Sequence, residues 1–205
     1  MFPSISGEVK LEFSVMTHLP VFPLNVVMFP GMRLDLKIFE PRYLDMVAEC
    51  CKGDYGFVAC RITKEKPDVL NQTFEPVGTL VRIVDFAQLK NGMLGITVEG
   101  VERVRVSAPY CDQAQLVRAD IEPMNAELQM STEAEHEELV IMLKHLEQHP
   151  AIKHRDISYS DASSISWRLA ELLPFEGSEK QMLLEMNHPY DRLDEIFRLL
   201  DKYQK

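Results

Sequence analysis

The chain has 205 residues and a net charge of −10, from 22 basic and 32 acidic side chains. A chain this acidic repels phosphate backbones unless its basic residues cluster, and no dense cluster is visible, which argues against nucleic acid as a partner. Hydrophobic residues make up 46% of the chain, enough for a core, but no apolar run reaches membrane-spanning length. The N-terminus lacks the apolar segment of a secretion signal, so we expect a cytoplasmic protein.

The first patterns along the chain are those of strands and one helix. Apolar and polar side chains alternate over residues 9–15 and 33–39, the period of a half-buried strand. A helix is predicted to begin at Glu40-Pro41, because proline suits the first helical position, and to stop at Gly53. Its apolar face is predicted to consist of Leu44, Val47, Ala48 and Cys51.

Strand patterns then continue to Pro123. We predict a short strand over residues 56–62 and a last strand over residues 114–121. Between them, residues 78–106 read as a hairpin that turns at Asn91-Gly92, a pair that suits the positive φ angles of a type I′ turn.

Two interruptions of the hairpin pattern predict bulges. The alternation changes phase near Val84, and Gly100 interrupts the return strand. Because bulges bend strands, we expect residues 1–123 to form an antiparallel pseudo-barrel of bent strands with one helix.

After residue 123 the apolar period changes to that of helices. Four helices are predicted, and their starts are placed near Thr132, Asp161, Ser178 and Pro189. Thr132 with Glu135 and Ser178 with Gln181 form possible capping boxes. The predicted fold class is therefore α+β, with a four-helix, bundle-like domain over residues 124–205.

Few residues suggest chemistry. His145 and His149 share a helix face at a metal-ligand spacing, but the sequence between them is not H-E-x-x-H, and His149 suits a helix C-terminus. We expect no catalytic site, metal site or cofactor. The cysteines show no C-x-x-C spacing and are interpreted as buried thiols in a reducing compartment; they are Cys50, Cys51, Cys60 and Cys111.

Three aromatic residues are candidates for binding a partner. Trp167 lies about 200° around its helix from Ile165, away from the main apolar face, so it either packs against the β domain or anchors a partner. Phe39 and Tyr43 could border a groove between sheet and helix, or could belong to ordinary sheet–helix packing.

Residues 19–47 carry a family resemblance. They contain two Phe-Pro pairs, Phe22-Pro23 and Phe29-Pro30, and then the string Phe39-Glu40-Pro41-Arg42-Tyr43. This arrangement resembles the opening of the Lon N-terminal domain family, the substrate-recognition domains of ATP-dependent Lon proteases, which also occur as free-standing proteins. The resemblance extends from about Thr17 to the closing helical segment, and it implies a PUA-like fold for the β domain.

The same resemblance frames the expected function. The chain has no G-x-x-x-x-G-K-[ST] phosphate loop and no room for the Lon ATPase and protease modules, so we expect a protein that is not an enzyme. The leading hypothesis is a recognition module that binds exposed apolar segments of unfolded or tagged proteins, as an adaptor to a separate protease or as a holdase. The alternative is a small-molecule or nucleotide/RNA sensor. A cryptic hydrolase is a third possibility that would require mutation-sensitive turnover.

Overall fold

The computed structural model describes residues 16–64, 73–90, 92–127, 129–150, 152 and 157–203. The strands are β1 Met16–Leu24, β2 Arg33–Ile38, β3 Phe57–Lys64, β4 Thr73–Phe74, β5 Val77–Gln88, β6 Leu94–Cys111 and β7 Val117–Pro123. The helices are α1 Pro41–Gly53, α2 Glu137–Glu147, α3 Ala162–Leu172, α4 Gly177–Glu185 and α5 Pro189–Tyr203. The strand predicted over residues 9–15 lies outside the described residues. The α+β class is confirmed.

Five of the strands pair in a closed ring. The order β1-β7-β6-β5-β3 is antiparallel throughout, and β3 then pairs with β1 in parallel, with Val21 opposite Val58. The prediction of an antiparallel barrel is therefore wrong in this one pairing. The physical reason is that β2 and α1 form a crossover between β1 and β3, and a crossover returns the chain in the same direction.

Both predicted bulges are confirmed in the β5–β6 hairpin. The register shifts between Ile83 and Asp85, and again where Leu80 pairs with Glu102 but Val81 pairs with Gly100. At the turn, the N–H of Gly92 donates to the carbonyl of Leu89, and Gly92 has φ +80°. Asn91 lies outside the described residues, so the type I′ turn stays a prediction.

Beyond the ring, the ends of β5 and β6 continue the same sheet and are joined there by β2. Residues 94–99 of β6 pair with β2 on one side and with residues 82–88 of β5 on the other. Among the described residues, no strand pairs with the edge of β2 that faces away from β6, and beyond Val81 only β6 pairs with β5. We call this three-stranded segment, residues 33–38, 82–88 and 94–99, the arm.

Gly100 fixes the chain that leads into the arm. Its N–H donates to the carbonyl of Met32 at 2.9 Å, and its carbonyl accepts from the N–H of Gly31 at 2.8 Å. A Cβ atom on Gly100 would lie 2.2 Å from the carbonyl oxygen of Phe29, so only glycine permits this approach. The Phe29-Pro30-Gly31 turn is thereby held against the bulge of β6.

The apolar face of α1 differs from the prediction. The helix buries Met46, Val47 and Cys50 against the sheet, whereas Leu44 is 39% exposed, and Ala48 and Cys51 are exposed too. Both stripes have helical spacing, so the pattern alone does not choose between them. The sheet decides which stripe is buried, because the face that α1 packs against presents the apolar partners of Met46, Val47 and Cys50.

Neither predicted capping box forms. The backbone at residues 131 and 132 is bridged to Asp161 and Ser160, so α2 begins only at Glu137, after a 3-10 turn. In α4 the box consists of Glu176 and Glu179. Gln181 instead donates its amide N–H to the carbonyl of Val77 at 3.0 Å, which ties α4 to β5.

The helices bury their apolar faces against one another and against the strands. The predicted start of α3 is confirmed, since Asp161 accepts from the N–H of Ser164 at 2.9 Å. The core of the helical part also includes Val27, Phe29 and Val77 from the β part. The boundary at residue 123, the PUA-like fold and the four-helix bundle stay predictions. No helix among the described residues is long and apolar enough to cross a membrane.

Candidate polypeptide-binding surface

The end of the arm carries exposed aromatic side chains. Phe39 directly follows Ile38, which pairs with Leu94, and Phe86 pairs with Ile96, two residues further along β6. Phe39 is 65% exposed and Phe86 is 52% exposed, whereas Leu94 and Met93 are half-buried. A cavity of about 320 Å³ lies here, lined in part by Phe86, Met93 and Leu94. We call Phe39, Phe86, Met93 and Leu94 the arm tip.

Among the described residues, no strand pairs with the outer edge of β2, the strand that leads to Phe39. Because Gly100 donates to Met32, the pairs that exchange hydrogen bonds with β6 are those of Leu34, Leu36 and Ile38. The alternate residues Arg33 and Lys37 therefore direct their main-chain N–H and C=O groups away from β6. Such an edge is the template to which an extended peptide adds as a further strand.

The outer face of the arm is polar and internally paired. Glu99 accepts hydrogen bonds from Arg33 at 2.7 Å and from Arg82 at 2.6 Å, and Asp35 accepts from the hydroxyl of Thr97 at 2.7 Å. These charges keep the outer face in water. The apolar surface that is available to a partner therefore lies on the inner face and at the tip of the arm.

Tyr43, on α1, packs against β1. Its ring lies 4.3 Å from that of Phe22, and the Arg42 guanidinium is 4.7 Å from the centre of the Tyr43 ring. Burial raises the pKa of the Tyr43 hydroxyl. Tyr43 is half-buried, in contrast to Phe39, so the two predicted groove residues differ in how much surface they offer.

Trp167 lies elsewhere, at the seam between β part and helices. It is 7% exposed, and its ring lies 5.7 Å from that of Phe29, the residue held by Gly100. The Arg192 guanidinium lies 3.2 Å from the Trp167 ring centre and pairs with Glu127 at 2.7 Å. Of the two roles considered for Trp167, packing against the β part is what this geometry supports; a role as a partner anchor stays a prediction.

Two adjoining cavities flank Trp167 and Pro30. Their volumes are about 270 Å³ and 250 Å³, and both residues belong to the walls of each. We call the pair of cavities the crevice. Its polar wall residues, Glu102 above all, were not among the residues that the sequence singled out. The arm-tip residues Phe86, Met93 and Leu94 were also missed, although the predicted hairpin placed them near each other.

The histidines and cysteines that the structure describes do not group into a metal site. Among the described residues, no group of three or more His, Cys, Asp or Glu side chains is placed to share a metal ion. Cys50 and Cys60 are buried as predicted, and burial raises the pKa of each thiol to about 12. The prediction is wrong for Cys51, which is exposed because the buried stripe of α1 is the other one.

Comparison with known proteins identifies the family. A family model described as the ATP-dependent protease La (LON) substrate-binding domain matches residues 18–202. A Lon N-terminal domain protein from Xanthomonas campestris, known from a crystal structure, is 30% identical with a TM-score of 0.76, covering 89% of this chain and 98% of that one. The N-terminal domain of a Mycobacterium avium complex Lon protease has a TM-score of 0.61 at 14% identity, covering 88% and 96%, and shows the fold alone.

Complete Lon proteases match over the same region. The Lon protease of Azorhizobium caulinodans is 27% identical over 193 residues, which are 89% of this chain and 22% of that protein. The Lon protease of Escherichia coli K12 is 24% identical over 205 residues, with shares of 93% and 25%. The chain thus spans about a quarter of the length of these curated relatives. The resemblance seen in residues 19–47 is confirmed: this chain belongs to the family of Lon substrate-binding domains.

Proposed function

We propose that this chain is a non-catalytic recognition module that binds exposed apolar segments of unfolded or tagged polypeptides, as an adaptor or holdase related to Lon-type proteolysis. The observation that carries the proposal is the arm tip, where exposed Phe39 directly follows β2 and exposed Phe86 lies on β5, across β6. Membership of the Lon substrate-binding family supports a polypeptide as the class of ligand. The setting proposed for this activity is the cytoplasm.

The mechanism that fits this surface is strand addition. An extended segment hydrogen-bonds to the outward main-chain groups of Arg33 and Lys37, which requires no particular sequence in the segment. Every second side chain of the added strand then faces the apolar side of the arm. Phe39, at the end of β2, lies beside the added strand, and Phe86, on the far side of β6, contacts residues of the segment that continue past the strand. Main-chain pairing combined with a small apolar surface gives promiscuous binding, which suits clients whose only common property is being unfolded.

The charges of β2 favour a foreign strand over a second copy of this chain. In an antiparallel pairing of two β2 strands centred on Asp35, each Arg33 would face a Lys37, and the two Asp35 side chains would face each other. Like charges directly opposite are destabilising. Pairing of β2 with a second copy of itself is therefore disfavoured, which supports a strand from a different chain as the partner.

The direct test titrates the protein into a labelled, permanently unfolded polypeptide and follows fluorescence anisotropy, with the folded parent of that polypeptide as control. We expect saturable binding to the unfolded chain alone. Phe39→Ala and Phe86→Ala should each weaken binding about tenfold, because each removes apolar area that the client buries. Both side chains are more than half exposed, so neither substitution should change the melting temperature appreciably.

Matched control variants separate this surface from general stickiness. Ile141→Ala and Met182→Ala remove side chains that are 46% and 40% exposed on α2 and α4, away from the arm. These variants should bind the unfolded chain as the unmodified protein does. Equal weakening by all four substitutions, or absence of binding at high micromolar protein, would overturn the proposal. The small-molecule or nucleotide/RNA alternative would then be tested next.

A further inference from the structure

The crevice contains buried acceptors that lack donors. The Oε1 atom of Glu102 and the Oδ1 atom of Asp161 are both buried, and neither has a hydrogen-bond partner among the described residues. Both residues line the cavity of about 270 Å³. The second carboxylate oxygen of Asp161 caps α3 through Ser164, which fixes the carboxylate and leaves Oδ1 without a donor. Leaving such acceptors unsatisfied costs stability.

The same cavity contains a buried donor. The Arg103 side chain is 4% exposed, and its Nη1 atom donates to the carbonyls of Leu184 at 3.1 Å and Met186 at 2.8 Å. Its Nη2 atom lies 3.2 Å from a Glu127 oxygen as an ion pair but makes no hydrogen bond. The Nη2 amino group of Arg103 therefore keeps unused N–H donors at the cavity that Arg103 lines.

The unpaired oxygens of the wall specify the sign of a ligand. Glu127 is paired with both Arg103 and Arg192, whereas Glu102 and Asp161 each keep one carboxylate oxygen without a hydrogen-bond donor among the described residues. The rest of the wall includes apolar groups from Val101, Met124 and Trp167. A fitting ligand carries a cationic donor, an acceptor close to it and an apolar side chain.

We propose that the crevice binds the N-terminus of a polypeptide, with the α-ammonium group at Glu102 and Asp161 and the first carbonyl oxygen at Arg103. The ammonium supplies donors to the two unpaired carboxylate oxygens, and the carbonyl accepts from Nη2. The first side chain contacts the apolar wall. Burial raises the pKa of Glu102, and a bound ammonium would offset that effect.

The second cavity argues for a chain rather than a free amino acid. It shares Pro30 and Trp167 with the first and is lined by Gly31 and Arg33, so it leads toward the start of β2. Its volume of about 250 Å³ leaves room for the residue that follows the first. This inference rests on the proposed function in taking a polypeptide as ligand, but it uses residues separate from the arm tip.

The experiment measures anisotropy with the peptide Leu-Gly-Ser-Gly-Ser, labelled at its C-terminus, and with its N-acetylated form. We expect the free N-terminus to bind at least tenfold more tightly than the acetylated form, because acetylation removes the charge and two of the donors. Glu102→Gln, and separately Asp161→Asn, which retains a capping side chain, should each abolish most of that preference. Glu122→Gln removes the same charge from the exposed end of β7 and should leave the preference intact.

Each outcome of this experiment supports or overturns binding of a polypeptide N-terminus in the crevice. Equal binding of both peptide forms, or binding of neither, would overturn the proposal. If unlabelled leucinamide competes with the affinity of the full peptide, the ligand is a small amine and the assignment to a polypeptide chain is wrong. Phe39→Ala and Phe86→Ala should leave this short polar peptide unaffected, so failure here is distinguishable from failure at the arm tip.

Discussion

The guanidinium of Arg192, which is fully buried, stacks on the indole of Trp167 at 3.2 Å from the ring centre. Its Nη1 and Nη2 atoms donate to the two carboxylate oxygens of Glu127 at 2.8 and 2.7 Å. Glu127 also pairs with Arg103 from β6. One carboxylate thus pairs with two buried cations, one from a strand and one from a helix.

This arrangement makes Glu127 a determinant of stability. Glu127→Ala would leave Arg192 and Arg103 without their anion, and breaking a buried pair in this way costs about 3–5 kcal/mol. The measurement is the free energy of unfolding from urea titration, with Glu133→Ala, at an exposed carboxylate of the same segment, as control. A loss of unfolding free energy below about 1 kcal/mol, similar to that of a surface substitution, would contradict the role of Glu127 as the anion that the two buried arginines need.

Substitution of Glu102 should stabilise the protein, in contrast to substitution of Glu127. Burial raises the pKa of its carboxyl, so the ionised form is less stable in the folded protein than in the unfolded chain. Glu102→Gln should therefore raise the melting temperature at neutral pH. The gain should disappear as the pH falls below about 4.5, the ordinary value for a glutamate, because the carboxyl is then protonated in both states. A lower melting temperature at neutral pH would show that the carboxylate stabilises the fold.

Arg118 should govern part of the acid stability. It donates from Nη1 and Nη2 to the two oxygens of Glu49, and these hydrogen bonds lower the pKa of the Glu49 carboxyl. A lowered pKa contributes stability in full above the ordinary value of 4.5, and that contribution is lost as the pH falls through the lowered value. Arg118→Met should therefore be less stable than the unmodified protein at about pH 7, with the difference in melting temperature shrinking towards about pH 3. A pH-independent difference would contradict this.

The cysteines should react in order of exposure. Burial raises the pKa of Cys50 and Cys60 to about 12, so almost no thiolate is present at about pH 8. Cys51 is exposed, and Cys111 is intermediate. With Ellman's reagent, one fast thiol is expected in the native protein, and Cys51→Ser should remove that phase. Modification of Cys50 and Cys60 at the rate of Cys51 would contradict the assigned burial.

The sequence predicts the local elements better than it predicts which elements pair or pack with one another. The strand over residues 33–38, the hairpin and its two bulges follow from alternation and its breaks, because a half-buried strand imposes period two. The buried stripe of α1 was chosen wrongly because Leu44 and Met46 both fit helical spacing. Only the shape of the sheet distinguishes them. The parallel pairing of β1 with β3 is a contact between distant segments, and local periodicity does not predict such contacts.

The candidate sites were predictable to different degrees. Phe39 is predicted as a groove residue because it lies between the alternating strand and the start of the helix, and its role in binding stays a prediction. Phe86 and Leu94 lie in the predicted hairpin, but their exposure depends on where α1 stops covering the arm. Glu102 looked like any charge on a strand, since its burial arises from the chain after Pro123 and from α3. Sites built at a seam between distant segments leave no local signal.

Amide hydrogen exchange, compared with and without a permanently unfolded polypeptide, tests strand addition most directly. The N–H groups of Arg33 and Lys37 point away from β6, so they should exchange fast in the free protein and slowly in the complex. The amides near Phe86 and Leu94 should gain protection as well, whereas those of α2 should be unchanged. Protection confined to surfaces other than the arm, or none under saturating polypeptide, would contradict recognition at β2 and the arm tip.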